Sequence, residues 1–287
     1  MPGVPSGDNR SDVRDFLISR RARLRPEQVG MPAGGRRRVA GLRRAEVAVL
    51  AGVSVEWYTR LEKGHIAGVS DEVLDAVARA LRLGRDERAY LFGLARAARP
   101  NAHRGPRQRP DGLPREVGWL LDAMTMSAAL VTDGRLDVLA ANALARALYA
   151  PMFGSATTAG RGGANVAVHL FRDPGARDFY VDWAGAAAAV VALLRAEAGR
   201  HPRDAGLSAL VEELRSVSEE FRALWETHDV RIVNRGVKAF RPPGAGPIEL
   251  SYFSFGLPDT AGPSVLLTAY TAEPGSAAEE RLAALAG

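Results

Sequence analysis

The sequence predicts a protein of two domains, an all-α bundle followed by an α+β domain with an antiparallel sheet. In residues 1–99, apolar side chains recur at helical spacing in five segments. Residues 114–287 combine such helical patterns with short strand-like runs that end at Gly and Pro. Residues 100–113, between these regions, are dense in Pro, Gly and Arg, which indicates a linker. The length of 287 residues also favours two domains.

The composition excludes several kinds of protein. Cysteine is absent, which removes disulfides, thiolate metal sites and thiol nucleophiles and suits a reducing compartment. The N-terminal residues lack the apolar stretch of a signal peptide. The longest apolar run, residues 184–194, includes Gly185 and is too short to span a bilayer. We therefore expect a cytoplasmic protein that has no membrane partner.

The positive charge is concentrated in the N-terminal region. Residues 1–113 contain 22 Lys and Arg against 13 Asp and Glu, whereas the remaining residues contain 16 against 20. The two regions therefore carry net charges of +9 and −4 within a total of +5. A polyanion that binds the N-terminal region is the simplest interpretation. A solvated surface rich in arginine would have the same composition.

Helices of the N-terminal region begin and end at recognisable signals. Ser11 can cap a first helix, which Pro26 ends. Residues 30–41 contain Gly, Pro and Arg without periodicity, so we expect a loop that can lie along a phosphate backbone. Further along, Ser70 can cap a fourth helix, and a fifth helix stops before Pro100.

Residues 43–64 have the pattern of two short helices joined by a tight turn. Gly52 can adopt the positive φ that such a turn requires. Ser54 can cap the second helix, because its hydroxyl accepts from a backbone N–H that has no partner within the helix. Tyr58 and Leu61, three residues apart, would then face the core. The residues left facing outward are Val55, Glu56, Thr59 and Arg60.

This pattern is typical of a helix-turn-helix, whose second helix enters the major groove of DNA. Arg60 is suited to bidentate contact with guanine, and Glu56 can accept from cytosine or orient Arg60. The cations able to neutralise phosphates beside the groove are Arg36, Arg37, Arg38, Arg43, Arg44 and Lys63. Two short helices with a glycine between them also occur in folds that never bind nucleic acid. The basic clusters favour DNA binding.

The segment GLRRAEVAVLAGVSVEWYTRLEKG, residues 41–64, resembles the lambda-repressor-like (Xre) class of helix-turn-helix domains and, within it, the MmyB-like regulator family. Positions that reach base edges in such repressors correspond to Val55, Glu56 and Arg60, and Thr59 completes the expected set. Positions that touch phosphates correspond to Arg44 and Trp57. Ser54 is also expected to contact a phosphate, in addition to the cations already named. The resemblance implies that the N-terminal domain, residues 1–99, binds double-stranded DNA.

The C-terminal region, residues 114–287, mixes helical and strand-like patterns. The predicted helices are residues 115–125, 142–149, 177–198 and 207–226. The predicted strands are residues 128–131, 136–140, 230–233, 237–241, 248–257 and 264–271. A hairpin, then helices, then antiparallel strands is an α+β arrangement like that of a PAS sensor domain.

The resemblance to the MmyB-like family extends into this region and covers most of the chain. The segments that carry it are FRDPGARDFYVDW, LWETHDVR, VKAFRPPGAG and LTAYTAEPGS. The sequence departs from the family pattern where Arg241 replaces an expected His before Pro242, and where Ala184 replaces a common acidic residue. The resemblance implies a PAS-like ligand-binding domain for a hydrophobic or fatty-acid-like effector. No cofactor or metal is expected.

The number of large apolar residues in the C-terminal region exceeds what its helices and one sheet face need, which predicts an apolar pocket. We expect this pocket between the antiparallel strands and the two long helices. The expected ligand-binding residues are Trp183, Arg195, Arg222, Trp225, His228 and Tyr252. The cations among them can meet an acidic head group, or they can pair with neighbouring acidic residues on the surface.

Catalysis has little support in the sequence. The histidines are scattered, and the motifs HExxH, GxSxG and CxxC are absent. His228 and Asp229 form the only adjacent acid and base pair, and no nucleophile motif accompanies them. We therefore predict a one-component transcription regulator that senses a small molecule and is not an enzyme.

Such a regulator is expected to act as a homodimer on a two-fold symmetric site, because one short recognition helix makes few base contacts. The strand near Phe253 and Phe255 has apolar residues on both faces and is the expected interface. The alternative is a DNA-bound interaction protein whose C-terminal domain docks a protein partner instead of a small molecule.

Overall fold

The computed structural model describes residues 9–32, 39, 41–98, 113–159, 162–230, 233–257 and 264–285. The chain divides into two compact units. The first unit comprises Met1–Gly105, Ala198–Ser208 and Trp225–Arg231. The second unit comprises Pro106–Glu197, Ala209–Leu224 and Ile232–Gly287. Both units are discontinuous in sequence, because two short segments of the C-terminal half fold with the N-terminal residues.

The first unit is helical in its described residues, as predicted. Its N-terminal helices are α1 (Asn9–Arg23), α2 (Arg44–Ala51), α3 (Val55–Glu62), α4 (Asp71–Ala80) and α5 (Arg85–Ala97), with a 3-10 turn at Pro26–Val29. Gly52 has a φ of 67° in the turn between α2 and α3, a conformation that favours glycine. The Ser54 hydroxyl accepts from the Trp57 N–H at 3.1 Å and so starts α3. Ser70 caps α4 in the same way.

The apolar faces of these helices meet in one buried core. Fully buried side chains in it include Phe16, Leu17, Tyr58, Leu74 and Leu91. Val230, which belongs to the strand predicted over residues 230–233, forms no strand and is fully buried in this core instead. The strand prediction is wrong at this residue, because an apolar run indicates burial but not the element that buries it.

The second unit contains an antiparallel sheet, as predicted. Its described strands are β1 (Ala128–Thr132), β2 (Val138–Ala141), β3 (Arg235–Phe240), β4 (Ile248–Gly256) and β5 (Leu266–Thr271). They lie in the order β2-β1-β5-β4-β3, and each neighbouring pair is antiparallel. The hairpin and the last strands therefore form one sheet, although all the intervening helices separate β2 from β3 in the sequence.

The described helices of the C-terminal half are α6 (Arg115–Ala123), α7 (Ala143–Leu148), α8 (Ala150–Phe153), α9 (Ala156–Ala159), α10 (Val166–Arg172), α11 (Ala176–Phe179), α12 (Trp183–Arg200), α13 (Ala205–Val217), α14 (Glu219–Glu226) and α15 (Ala277–Ala284). Asn142 caps α7 by accepting from the Ala145 N–H at 2.8 Å. The same side chain accepts from the Ala129 N–H at 3.0 Å and donates to the Met124 carbonyl at 2.8 Å. This amide therefore joins α7 to β1 and to the end of α6. Among the described residues, no helix has the length and apolar character needed to cross a membrane.

The helix predicted over residues 177–198 is interrupted between α11 and α12. Here the Val181 N–H donates to the Ala239 carbonyl at 3.1 Å, and Tyr180 forms an antiparallel bridge with Phe240. The prediction of one continuous helix is wrong. The segment between the two helices pairs with β3, which is distant in sequence, so the local pattern gave no sign of this pairing.

The helix predicted over residues 207–226 is also interrupted, at Ser218. The Ser218 hydroxyl accepts from the Phe221 N–H at 3.1 Å and so starts α14 after α13 has ended. Apolar residues keep their helical spacing on both sides of this serine, and for that reason the periodicity alone did not reveal the break.

The two faces of the sheet have different surroundings. α6 packs on one face, where Leu121 lies in a buried cluster with Ala129 and Leu267. Phe255 pairs with Leu267, so Phe253 and Phe255 lie on this same face. Their side chains are 44% and 55% exposed, which leaves part of the α6 face uncovered by the described residues.

Candidate nucleic-acid interface and ligand cavity

α3 presents one polar face to solvent. With 3.6 residues per turn, Val55, Thr59 and Lys63 align on one side of the helix axis, flanked by Glu56 and Arg60. Glu56, Arg60 and Lys63 are exposed, Val55 is 39% exposed, and Thr59 is half-buried. The predicted base-reading residues therefore share one accessible helix face.

α3 is held to α1 and α2 by a buried carboxylate at its C-terminal end. Glu62 is 1% exposed, and its Oε2 accepts from Arg21 Nε at 2.6 Å. Its Oε1 accepts from Arg44 Nε at 2.6 Å. Arg21 also donates to the Leu42 carbonyl at 2.7 Å, just ahead of α2. Hydrogen bonds between charged groups, which are stronger than neutral ones, thus join the three helices.

The same network sets the charge of its members. Burial raises the pKa of Glu62, but the hydrogen bonds from Arg21 and Arg44 outweigh burial and hold this pKa below its ordinary value. Burial, and then the nearby charge of Glu62, raises the pKa of the Tyr58 hydroxyl. Near neutral pH, Glu62 is therefore an anion and Tyr58 is neutral.

The predicted phosphate-binding residues lie around α2 and α3. Arg43 is exposed at the start of α2, and Lys63 is exposed at the end of α3. Arg44 is 48% exposed, so part of its guanidinium remains accessible beside its bond to the buried carboxylate. Ser54 serves as the α3 cap, and Trp57 packs partly buried against the core. Arg36, Arg37 and Arg38 lie outside the described residues.

A cavity lies in the second unit between the sheet and α12. The sheet residues that line it share the face opposite α6 and are Leu130, Thr132, Lys238, Tyr252, Ser254, Leu266, Thr268 and Tyr270. The α12 residues that line it follow helical spacing and are Ala186, Ala189, Val190 and Leu193. The cavity is partly open to solvent and has a volume of about 70 Å³, which holds a few water molecules and is too small to take up a long acyl chain completely.

Two polar groups distinguish this cavity. Lys238 is the only charged residue among the described residues that line it. Its Nζ lies 4.8 Å from the ring centroid of Tyr252 and 5.9 Å from that of Tyr270. The Tyr180 hydroxyl, also in the lining, is buried and has no hydrogen-bond partner among the described residues. Because burial raises the pKa of Tyr180, this hydroxyl keeps its proton and remains a donor.

The structure places the predicted ligand-binding residues in several surroundings. Tyr252 lines the cavity. The Trp183 indole donates to a backbone carbonyl of α10 at 3.2 Å, and Arg195 is buried. Arg222 is exposed and donates to a backbone carbonyl at the end of α13 at 3.2 Å. The residues that belong to the first unit are Trp225 and His228.

Sequence reasoning passed over both polar groups of the cavity. A signal for Lys238 was present, because it is one of two lysines in the chain and lies within an apolar strand-like run. Its separation of two residues from Phe240 also places it on the buried face of β3. Tyr180 offered no comparable signal, since the pattern around it is helical.

Known families match both halves of the chain. Residues 113–285, more than half of the chain, match the family model described as the MmyB-like transcription regulator ligand binding domain. Residues 20–91 match a model described as a helix-turn-helix domain. No curated protein matches the chain. The predicted succession of a DNA-binding and a ligand-binding domain is confirmed, and the narrower Xre class stays a prediction.

The role of the buried carboxylate can be tested by Glu62→Gln. This variant should lower the free energy of unfolding of the first unit by about 2 kcal/mol near pH 7, less than for a fully buried pair because Arg44 is half exposed. Since folding depresses the pKa of Glu62, its stabilisation is complete above the unfolded value of about 4.3 and is lost as the pH falls through the folded pKa. The difference between the variant and the wild type should therefore shrink below about pH 4.

The measurement is urea unfolding of the full chain, monitored by amide hydrogen exchange, which reports the stability of the first unit separately. Glu27→Gln, at an exposed carboxylate, is the matched control and should change the stability little at any pH. If Glu62→Gln lowers the free energy of unfolding by the same amount from neutral to acidic pH, the charge of Glu62 does not contribute to the stability.

Proposed function

Because this chain belongs to the family defined by the MmyB-like transcription regulator ligand binding domain, and a helix-turn-helix domain precedes that domain, we propose that it is a one-component transcription regulator that senses a small amphipathic acid. Residues 1–99 read DNA, residues 100–113 are the linker, and residues 114–287 bind a fatty-acid-like effector. The protein acts in the cytoplasm as a homodimer and is not an enzyme.

The accessible face of α3 supports DNA reading. Arg60 is exposed and carries the paired donors that match guanine O6 and N7, and Glu56 lies beside it on the same face. Arg43 and Lys63 add exposed positive charge at the ends of α2 and α3, where phosphates flank a groove. The helix therefore combines base-reading groups with the cations that position it.

Lys238 is the observation that carries the ligand proposal. The sheet face and α12 supply an apolar lining, into which Lys238 brings a single positive charge. Tyr180 adds a buried donor that has no hydrogen-bond partner among the described residues. Tyr180 and Lys238 share the β3 side of the cavity, because Tyr180 forms a bridge with Phe240, two residues beyond Lys238. An anionic head group can accept from both, and such bonds are strong in an apolar site.

The chemistry of the cavity favours binding over catalysis. Among its described lining residues, no histidine or carboxylate is present to act as a general base. The hydroxyls of Ser254 and Thr268 are hydrogen-bonded to each other, with 2.9 Å between their oxygen atoms. No group of three or more His, Asp and Glu side chains in the described part of the chain can hold a metal ion. This lining suits recognition of a ligand better than general-base catalysis.

The uncovered part of the α6 face supports a homodimer. Val237, Phe253 and Phe255 are 60%, 44% and 55% exposed, and the two Phe rings stack with centroids 6.4 Å apart. Exposed apolar patches of this kind mark interaction surfaces. A second copy of the chain is the proposed partner, since pairing two recognition helices lengthens the DNA sequence that is read.

Arg60→Ala should weaken binding to DNA by about 1–3 kcal/mol and relax the base preference. Arg43→Ala should weaken binding on every sequence and lower the slope of log affinity against log salt by about 1. Arg43 is the suitable phosphate-contact residue for this test, because Arg44 is hydrogen-bonded to Glu62 and its loss would also disturb the fold. Fluorescence anisotropy on the duplex that the wild type selects from a random pool, and on a scrambled duplex, gives both quantities. Equal losses for Arg60→Ala on the two duplexes would rule out base reading by Arg60.

Lys238→Met should reduce decanoate affinity by about tenfold or more, because a hydrogen bond to a charged group contributes about 1.5–3 kcal/mol. The measurement is the thermal shift of the full chain over a decanoate titration. Arg235→Met is the matched control, since Arg235 lies on the same strand but on the opposite face of the sheet. Decanol, which lacks the charge, should not distinguish the variant from the wild type. Unchanged decanoate affinity in Lys238→Met would exclude Lys238 as the head-group partner.

The double variant Phe253→Asp with Phe255→Asp should convert a dimer into a monomer of 30.6 kDa, because it places charges in the apolar patch. Sedimentation velocity of the full chain measures the change. Val217→Asp, at an apolar residue that is 53% exposed elsewhere in the second unit, should leave the dimer intact. A wild type that is monomeric at all concentrations, with and without DNA, would end the dimer proposal.

A further inference from the structure

Within the first unit, α5 and the last turn of α12 meet with their backbones in direct contact. A Cβ atom built on Gly93 would overlap the carbonyl oxygen of Gly199. A Cβ atom built on Gly199 would overlap the ring of Tyr90, which is itself buried and cannot move aside. Neither position accepts a side chain without a shift of α5 or α12. We call the contact between Gly93 and Gly199 the glycine crossing.

A second group of contacts holds residues 225–230 to α1 and, through Arg20, to α5. Arg20 of α1 is 3% exposed, and its guanidinium donates to the His228 carbonyl and pairs with Glu87 of α5 at 2.8 Å. Val230 is fully buried in the core of the first unit. A buried guanidinium that loses an acceptor is costly, so this segment is firmly attached.

The cavity lies at the other end of α12. Four residues from the earlier turns of this helix line the cavity, whereas its last turn forms the glycine crossing. The cavity volume of about 70 Å³ is too small to take up a whole acyl chain of the length of decanoate. A ligand of that size that enters completely has to displace part of the lining, and α12 is the longest helix that contributes to it.

We propose that α12 transmits occupation of the cavity to the DNA-reading unit through the glycine crossing, with residues 225–230 as a second attachment. Packed helices shift as bodies between discrete arrangements, so a displacement of α12 moves α5 when their backbones are in contact. α5 packs against α1, and α1 binds α3 through Arg21 and Glu62. This inference rests on the ligand binding proposed above.

The test compares the full-length wild type with Gly199→Ala, and with Gly118→Ala as the matched control. Gly118 lies in α6, where an added Cβ meets nothing within 4 Å. Amide hydrogen exchange of residues 183–197 reports decanoate in the cavity. Exchange of α5, and the dissociation constant for the duplex selected by the wild type from a random pool, report the effect on the DNA-reading unit.

In the wild type and in Gly118→Ala, decanoate should change the exchange of both segments and change the dissociation constant for DNA at least about fivefold, the lower end of typical allosteric coupling. In Gly199→Ala, the response of residues 183–197 should persist, while the response of α5 disappears and the change in DNA affinity falls below about twofold. A full DNA response in Gly199→Ala would overturn the proposal.

Failure of the ligand proposal gives a different result. If decanoate leaves residues 183–197 of the wild type unchanged, the duplex replaces it as the probe, because coupling between two sites is reciprocal. The duplex should then alter the exchange of residues 183–197 in the wild type and not in Gly199→Ala. No effect of DNA on the wild-type segment would overturn the coupling itself.

A second variant covers the case in which Gly199→Ala does not fold. Arg20→Met removes both the donor to His228 and the partner of Glu87 and keeps the apolar stem of the side chain. It should loosen residues 225–230, seen as faster amide exchange, and reduce the DNA response to decanoate at least about twofold. Unchanged exchange of this segment together with an unchanged response would contradict the proposal.

Discussion

The orientation of the DNA-reading helix depends on one buried carboxylate. α3 has eight residues, and a helix of that length has little stability alone, because nucleation costs more than its few hydrogen bonds return. Glu62 ties α3 to α1 through Arg21 and to α2 through Arg44, and the exposed face of α3 points outward as a result. Arg44 pairs with Glu62 inside the fold and keeps about half of its side chain exposed. The proposed phosphate contact of Arg44 would therefore use a residue that also holds the motif together.

The alternation of side chains along a strand imposes the corresponding constraint on the second unit. On β4, Tyr252 and Ser254 face the cavity, whereas Phe253 and Phe255 face the side covered in part by α6. One strand thus lines the cavity with one face and forms part of an exposed apolar surface with the other. Inside the cavity, the Tyr180 hydroxyl has no hydrogen-bond partner among the described residues. Burying such a group costs about 1–3 kcal/mol, a cost that an acceptor on a ligand would offset.

The compact units do not correspond to consecutive stretches of the chain. Residues 198–208 and 225–231 continue from α12 and α14 but fold with the N-terminal helices, where Val230 is part of the core. Domains joined only by a linker of Pro, Gly and Arg would bind DNA and ligand independently. Because α12 and α14 run from the second unit into these two segments, an event in the second unit that changed their conformation would also change the free energy of the DNA-reading unit, which is the requirement for coupling between the sites.

The sequence by itself determined the features that depend on neighbouring residues. The caps at Ser54 and Ser70 and the outward face of α3 follow from hydrogen bonds and periodicity within one or two helical turns. Tertiary structure alone decided that Lys238 and Tyr180 line one cavity and that Val230 lies in the core of the first unit. These placements depend on strand pairing and core packing between segments far apart in the chain, and a local pattern contains no information about which distant segment completes it.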